Sequence, residues 1–369
     1  MKSSTYKVIV RVVALLLAIL MGLSLVMSLV SCSRDPAETL PETTTAESSA
    51  TSATTTVSTT TTTTSTTTPT PTTTEPPPPE IDLLFPDRYP VAFMLNNSWE
   101  ARPQSGLSRG KLIYQLMTEA RVTRLLMVTD AEDGVVGPVR SARPAYLDLV
   151  AQHQAFYAHA GNFKVITASP VANYIRSLDA LTGFYGMYYR TTHRVSPHNL
   201  YTNMETVYSW AEGSYGNIEP DKPVEGLKAY DVFVQPEGGE IAASLAYQYN
   251  VSKELFIYDE TGGVYNKYND GYTLVDEQTG QALEIANIIV IYRPHGWMPN
   301  NVHIRVDWIA QGAGATYLTG GKKYAISWDK PSHTAPITYY LDGEELILNP
   351  GLTWILVVDD QALATIAYN

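Results

Sequence analysis

Short apolar runs without a polar position punctuate the first half of the globular sequence. Pro90-Val-Ala-Phe-Met-Leu95 and Arg124-Leu-Leu-Met-Val-Thr129 offer no face to water, which is the pattern of strands covered on both sides. A third run, His153-Gln-Ala-Phe-Tyr-Ala-His159, alternates in part and stops at Ala160-Gly161. Residues 141–152 and 169–178 instead space their apolar side chains as helices do, and the second opens on Ser169-Pro170, a suitable N-cap and first-turn pair. Strands alternating with helices predict an α/β domain over 82–225.

Past the polar, proline-bearing joint Ile218-Glu-Pro-Asp-Lys-Pro223 the period changes. Asp259-Glu-Thr-Gly-Gly263, Asn269-Asp-Gly271, Gly320-Gly321 and Asp342-Gly343 are hairpin turn signals. They separate strand-like runs such as Asn287-Ile-Ile-Val-Ile-Tyr292, Val302-His-Ile-Arg-Val-Asp-Trp308 and Trp354-Ile-Leu-Val-Val358. Residues 226–369 therefore predict a mainly antiparallel β domain, with one short helical pattern near Gly239 to Tyr247. The expected class is α+β overall, and no fixed-period repeat is visible.

Ahead of both domains the chain is not globular. Lys2, Lys7 and Arg11 precede an apolar run from Val12 to Val30, and Leu29-Val30-Ser31-Cys32 follows, so residues 1–31 are expected to be a secretion signal. Cys32 is the sole cysteine of 369 residues and stands where a bacterial lipobox needs one. It is the expected acylation site, which would tether the protein to the membrane, on its extracytoplasmic face. An uncleaved transmembrane anchor is the alternative, since 19 apolar residues can also span a bilayer. Residues 32–81 are dominated by Thr and Ser and close on Glu75-Pro76-Pro77-Pro78-Pro79-Glu80. With nothing large and apolar to bury, this stretch reads as a disordered linker.

From Cys32 onward the formal charge is −15, which argues against a nucleic-acid partner. The sign is uneven: −1 over 82–225, but −9 from Gly226 to the end. The cations differ in kind as well. Ten Arg and three Lys occupy 82–225, against two Arg and six Lys afterwards. Guanidinium suits two-pronged contacts with carboxylate or phosphate. Arg102 precedes Pro103, while Arg140 and Arg143 fall within Gly137-Pro-Val-Arg-Ser-Ala-Arg-Pro144. Arg194 leads into Ser196-Pro197-His198. Together with Arg124 these five are the candidate ligand-binding set, expected to converge on one cleft; the alternative is that each pins a loop through Asp148, Glu119 or a backbone carbonyl.

Four of the seven histidines, His153, His159, His193 and His198, fall in the first domain, and none has metal-ligand spacing. His159 ends an expected strand, where open α/β sheets place ligands; His159 and His198 are the candidate acid–base residues. Neither a metal nor a cofactor is expected, since the chain has no G-x-S-x-G elbow, P-loop or G-x-G-x-x-G cradle. A cluster of tyrosines, Gly183-Phe-Tyr-Gly-Met-Tyr-Tyr189, adds flat faces with polar tips that suit sugar rings.

The chain resembles the YerB-like family of bacterial lipoproteins through Ala101-Arg-Pro-Gln-Ser-Gly-Leu-Ser108, Thr123-Arg124, Gly137 to Pro144, Tyr157-Ala-His-Ala-Gly161 and Pro197-His-Asn-Leu-Tyr201. Trp328-Asp-Lys-Pro331 and Asn349-Pro-Gly-Leu-Thr-Trp-Ile355 extend the likeness into the second domain. It implies a lipid anchor followed by two domains outside the plasma membrane, and supplies no reaction. The sequence departs from the family pattern at Arg109-Gly-Lys-Leu-Ile-Tyr-Gln115, where acidic residues are usual, and at Ala120-Arg121, where glycines are common. Three functions stay open at this point: binding of an anionic wall polymer or glycan by the arginines, a hydrolase or transferase acting on phosphodiester or glycosidic bonds of the envelope, and a scaffold for other membrane proteins.

Overall fold

Runs with no polar position have to be covered on both faces, and the computed structural model, which describes residues 77–369, shows how. Val91–Asn96, Leu112–Met117, Thr123–Thr129 and Leu352–Val358 are buried at every residue. Their side chains alternate between two apolar cores. Phe93, Leu95, Ile113, Trp354 and Leu356 face one core, while Ala92, Met94, Tyr114, Ile355 and Val357 face the other. The sheet separates the two.

Its order begins Arg176–Asp179, Phe156–His159, Val91–Asn96, Thr123–Thr129, Leu112–Met117, and the first three strands are mutually parallel. Leu352–Val358 then adds in parallel to Leu112–Met117, and Ile285–Tyr292 in parallel to that. The antiparallel strands Ala310–Thr319 and Lys322–Lys330 continue the sheet. A strand from near the C-terminus is thus seated against the first half of the globular sequence, and Trp354 Nε1 donates across this seam to Gln115 Oε1 at 3.0 Å. All described residues belong to one compact unit. They are mostly strand with few helices, so α+β describes them only loosely.

The helical pattern at 141–152 is the helix Pro144–Gln152, begun by a proline whose fixed φ suits the first turn. All four turn signals connect paired strands: Glu254–Asp259 with Val264–Asn269, the latter with Tyr272–Thr273, Ala310–Thr319 with Lys322–Lys330, and Thr338–Leu341 with Glu344–Glu345. Two expected helices are strands instead. In 169–178, Ser169 Oγ accepts from Val171 N at 3.2 Å and starts only a single turn, after which Arg176–Asp179 pairs with Phe156–His159. In 239–247, Gly238 and Gly239 both take positive φ, which ends any helix, and buried Leu245 and Tyr247 alternate along Ser244–Tyr247. The longest of the helices not expected, Met204–Tyr215, is capped by Asn203, whose side chain accepts from Glu205 N. Ala120 and Arg121, where the family resemblance leads one to expect glycine, have φ of 56° and 57°, the left-handed region.

The expected signal peptide, Cys32 and most of the expected linker lie outside the described residues. Among the described residues no helix is long and apolar enough to cross a membrane.

Candidate functional site

The segment from Gly137 to Pro144 is stitched into the carboxyl end of the parallel strands. Asn96 N donates to Pro138 O at 2.9 Å and Arg140 N to Met94 O at 2.8 Å. Ala160 N donates to Arg140 O at 2.9 Å, and Ala142 N to Gly161 O at 3.2 Å. Gly137 has to be glycine, because a Cβ there would lie 2.6 Å from the Tyr201 ring. Pro144 then opens the helix. Arg140, Ser141, Ala142 and Arg143 consequently sit where strand ends meet a helix N-terminus, the usual ligand position in open sheets.

Three of the five candidate arginines meet here. Arg124 pairs with Asn96 in register, is 6% exposed, and donates through Nη1 to Ser141 O. Arg143 Nη1 reaches the same carbonyl at 3.5 Å and Ala142 O at 2.9 Å, and its Nε donates to Glu119 Oε2 at 2.8 Å. Arg140 Nη1 donates to Pro197 O at 3.2 Å, whereas its Nε is buried without a partner, as is the Tyr157 hydroxyl. Among the described residues no carboxylate is within ion-pair distance of Arg124 or Arg140.

The electrostatics follow from that geometry. Burial, and then the neighbouring charges of Arg143 and Arg140, push Arg124 down to about 9. Arg140 is lowered by burial and by Arg143. Glu119, the one acid facing this group, is opposed by burial but ends below the usual carboxylate range, because Arg143 and His303 both hydrogen-bond to it. The nearby helix compounds the imbalance: its first turn has no acid and its N-cap is Arg143 itself. Cations at the positive end of a helix are unfavourable unless an anion joins them.

Arg194 and Arg102 stand in other settings. Arg194 pairs with Glu277 Oε1 at 2.9 Å, contacts the Tyr201 hydroxyl, and donates to Pro103 O at 2.7 Å, bracing two loops together. Among the described residues the Arg102 side chain is held only by Asn97 Oδ1, at 3.3 Å. It lines a groove with Trp99 and Tyr272 that none of the other four lines. The extra cations at the departures from the family pattern are each matched by an acid: Arg109 by Asp133, Lys111 by Asp130, and Arg121 by Asp359.

His159 is fully buried. Its Nδ1 lies 3.1 Å from Gly161 O, its Nε2 2.7 Å from Ser177 Oγ, and its ring stacks on Tyr157 at 4.6 Å. Burial lowers its pKa against the raising effect of Asp179, and both ring nitrogens are engaged. His198 is half-buried, its Nδ1 2.8 Å from Asn96 Nδ2 and 3.2 Å from Ser98 Oγ. Two acid–histidine contacts were not legible in the sequence: His303 Nδ1 to Glu119 Oε1 at 2.6 Å and His333 Nδ1 to Asp148 Oδ2 at 2.7 Å. Each partner is more than 180 residues from the other, with no motif to announce it. Among the described residues no three His, Cys, Asp or Glu side chains are grouped to hold a metal.

The described residues carry two matches to one sequence family, the N-terminal domain of a protein of unknown function (DUF3048) over 79–217 and its C-terminal domain over 243–355. "Putative lipoprotein YerB" of Bacillus subtilis (strain 168) is 27% identical over 286 residues, spanning 76% of this chain and 84% of that one. The crystal structure of the Bacillus subtilis YerB protein superposes with a TM-score of 0.66 at 24% identity, over 77% of this chain and 94% of that one, which establishes the shared fold. The chain belongs to the YerB-like family.

Proposed function

We propose that this is a lipoprotein of the cell envelope, acylated at Cys32 and tethered to the outer face of the membrane, whose Arg124, Arg140 and Arg143 bind an anionic envelope polymer. The observation that carries the reading is the buried Arg124 guanidinium beside two others, with Glu119 the single carboxylate among them in the described residues. A cation cluster left short of counter-charge in a low-dielectric setting is unfavourable by itself, and an incoming phosphate or carboxylate relieves it. The relatives' lipoprotein name supports the tether. A thread of polymer at the membrane surface would then meet the strand ends through this cluster.

Charge reversal tests it. In Arg140→Glu, salt-sensitive binding of the full-length protein to purified wall polymer falls at least tenfold, consistent with losing one charge-assisted contact, and circular dichroism is unchanged. Equal binding by the variant would overturn the proposal.

A further inference from the structure

A second guanidinium, that of Arg102, makes no ion pair among the described residues, and it lines a groove of about 460 Å³. Trp99 and Tyr272 form its walls. Their rings meet edge to face, 5.9 Å between centroids at 62°, yet they are 66% and 67% exposed. Each is delivered by a tight local structure, Trp99 by the single turn Trp99–Ala101 and Tyr272 by the Asn269-Asp270-Gly271 turn, where Asp270 and Gly271 take positive φ. Two large aromatic faces set at an angle and left to water are costly unless something covers them.

The polar groups of the groove are oriented from behind. Arg102 Nε is fixed on Asn97 Oδ1, which also accepts from Gln104 Nε2 at 3.1 Å. Among the described residues neither Nη has a hydrogen-bond partner. Asn269 is 4% exposed, and its Oδ1 accepts from Lys267 Nζ at 3.2 Å. An ammonium only donates, so the atom facing it has to be oxygen, and the amide NH₂ of Asn269 is turned the other way, with no hydrogen-bond acceptor among the described residues. Glu100 completes the set; its pKa is lowered by its own backbone N–H and by Ser98, so it is an ionised acceptor.

We infer that this groove binds an acidic sugar residue: a pyranose whose C–H face lies on Trp99 or Tyr272, whose hydroxyls meet Asn269 and Glu100, and whose acidic group takes the Arg102 fork. The combination is selective. A neutral sugar leaves the guanidinium unpaired, and a bare anion leaves the rings uncovered and faces Glu100. This site uses none of Arg124, Arg140 or Arg143, so it stands or falls apart from the cluster proposed above.

The test is a titration of the full-length protein in detergent with tetragalacturonate, maltotetraose and glucose 1-phosphate, read by tryptophan fluorescence and calorimetry. Tetragalacturonate or glucose 1-phosphate binds at least tenfold more tightly than maltotetraose, and which of the two wins tells carboxylate from phosphate. Trp99→Ala and Arg102→Gln each weaken that binding at least tenfold, and Arg140→Glu leaves it unchanged. Equal binding of the neutral sugar, absence of binding by both acidic probes, full binding by Trp99→Ala or Arg102→Gln, or loss in Arg140→Glu would each overturn the inference.

Discussion

Among the clusters of charge that the described residues withdraw from water, two are finished differently. In the second half, Lys267 Nζ spends all three hydrogens, on Glu254 Oε2 at 2.5 Å, Tyr247 Oη at 2.9 Å and Asn269 Oδ1 at 3.2 Å. Glu254 also accepts from Gln115 Nε2 and from the Tyr247 hydroxyl, and the side chains of both ions are nearly sealed, at 1% and 4% exposed. At the sheet end, by contrast, Arg124 has only carbonyl oxygen, and Arg140 Nε has nothing. A complete network holds a structure in one arrangement, whereas the incomplete one, on the reading proposed above, is finished by a partner from outside.

The contrast can be broken at its strongest point first. Lys267→Met leaves Glu254 buried without its cation and lowers stability by about 3–5 kcal/mol, measured by chemical denaturation. A loss under 1 kcal/mol would remove the structural assignment. A third buried group sharpens the comparison by staying neutral. Burial, with a smaller contribution from Lys330, pushes His153 down to about 3, while Tyr114 Oη and Gln152 Nε2 contact its Nε2. The folded pKa lies below the unfolded value of about 6.5, so the unfolded state takes up the proton first. The contribution is therefore whole above pH about 6.5 and fades by about 1.4 kcal/mol per unit as pH falls toward 3. His153→Gln flattens that slope in denaturation curves taken across the window.

The smallest effect is the most telling. Arg124→Met removes a buried cation repelled by two others, so unliganded stability is unchanged or rises by about 1 kcal/mol. The wild type gains melting temperature in phosphate through mass action, and the variant does not. A destabilisation as large as that of Lys267→Met would make the arginine cluster structural.

Much of the fold can be read from residue order because its causes are local. Phe93 and Met94 have to be covered on opposite faces wherever the strand goes, Pro144 can begin a helix and not continue one, and Gly263, Gly271, Gly320, Gly321 and Gly343 take the positive φ their turns require. Capping by Asn203 and the buried spacing of Met204, Val207, Tyr208 and Ala211 were equally local and equally readable. The arginines of Gly137 to Pro144 stood out as ligand candidates for the same reason, being flanked by residues that allow the backbone few conformations.

What residue order by itself determined is therefore the set of short-range elements, the turns and the kind of chemistry available. Tertiary structure alone decided the partners. It turned Arg176–Asp179 from an expected helix into a strand by offering Phe156–His159 as a parallel neighbour, and it seated Leu352–Val358 beside Leu112–Met117. It also divided five arginines among a shared cluster, a brace to Glu277 and an open groove. The physical reason is distance along the chain. Contacts between residues as far apart as Phe156 and Arg176, Arg194 and Glu277, or Leu112 and Thr353 depend on how sheets close, and no local preference encodes which carboxylate a guanidinium will meet.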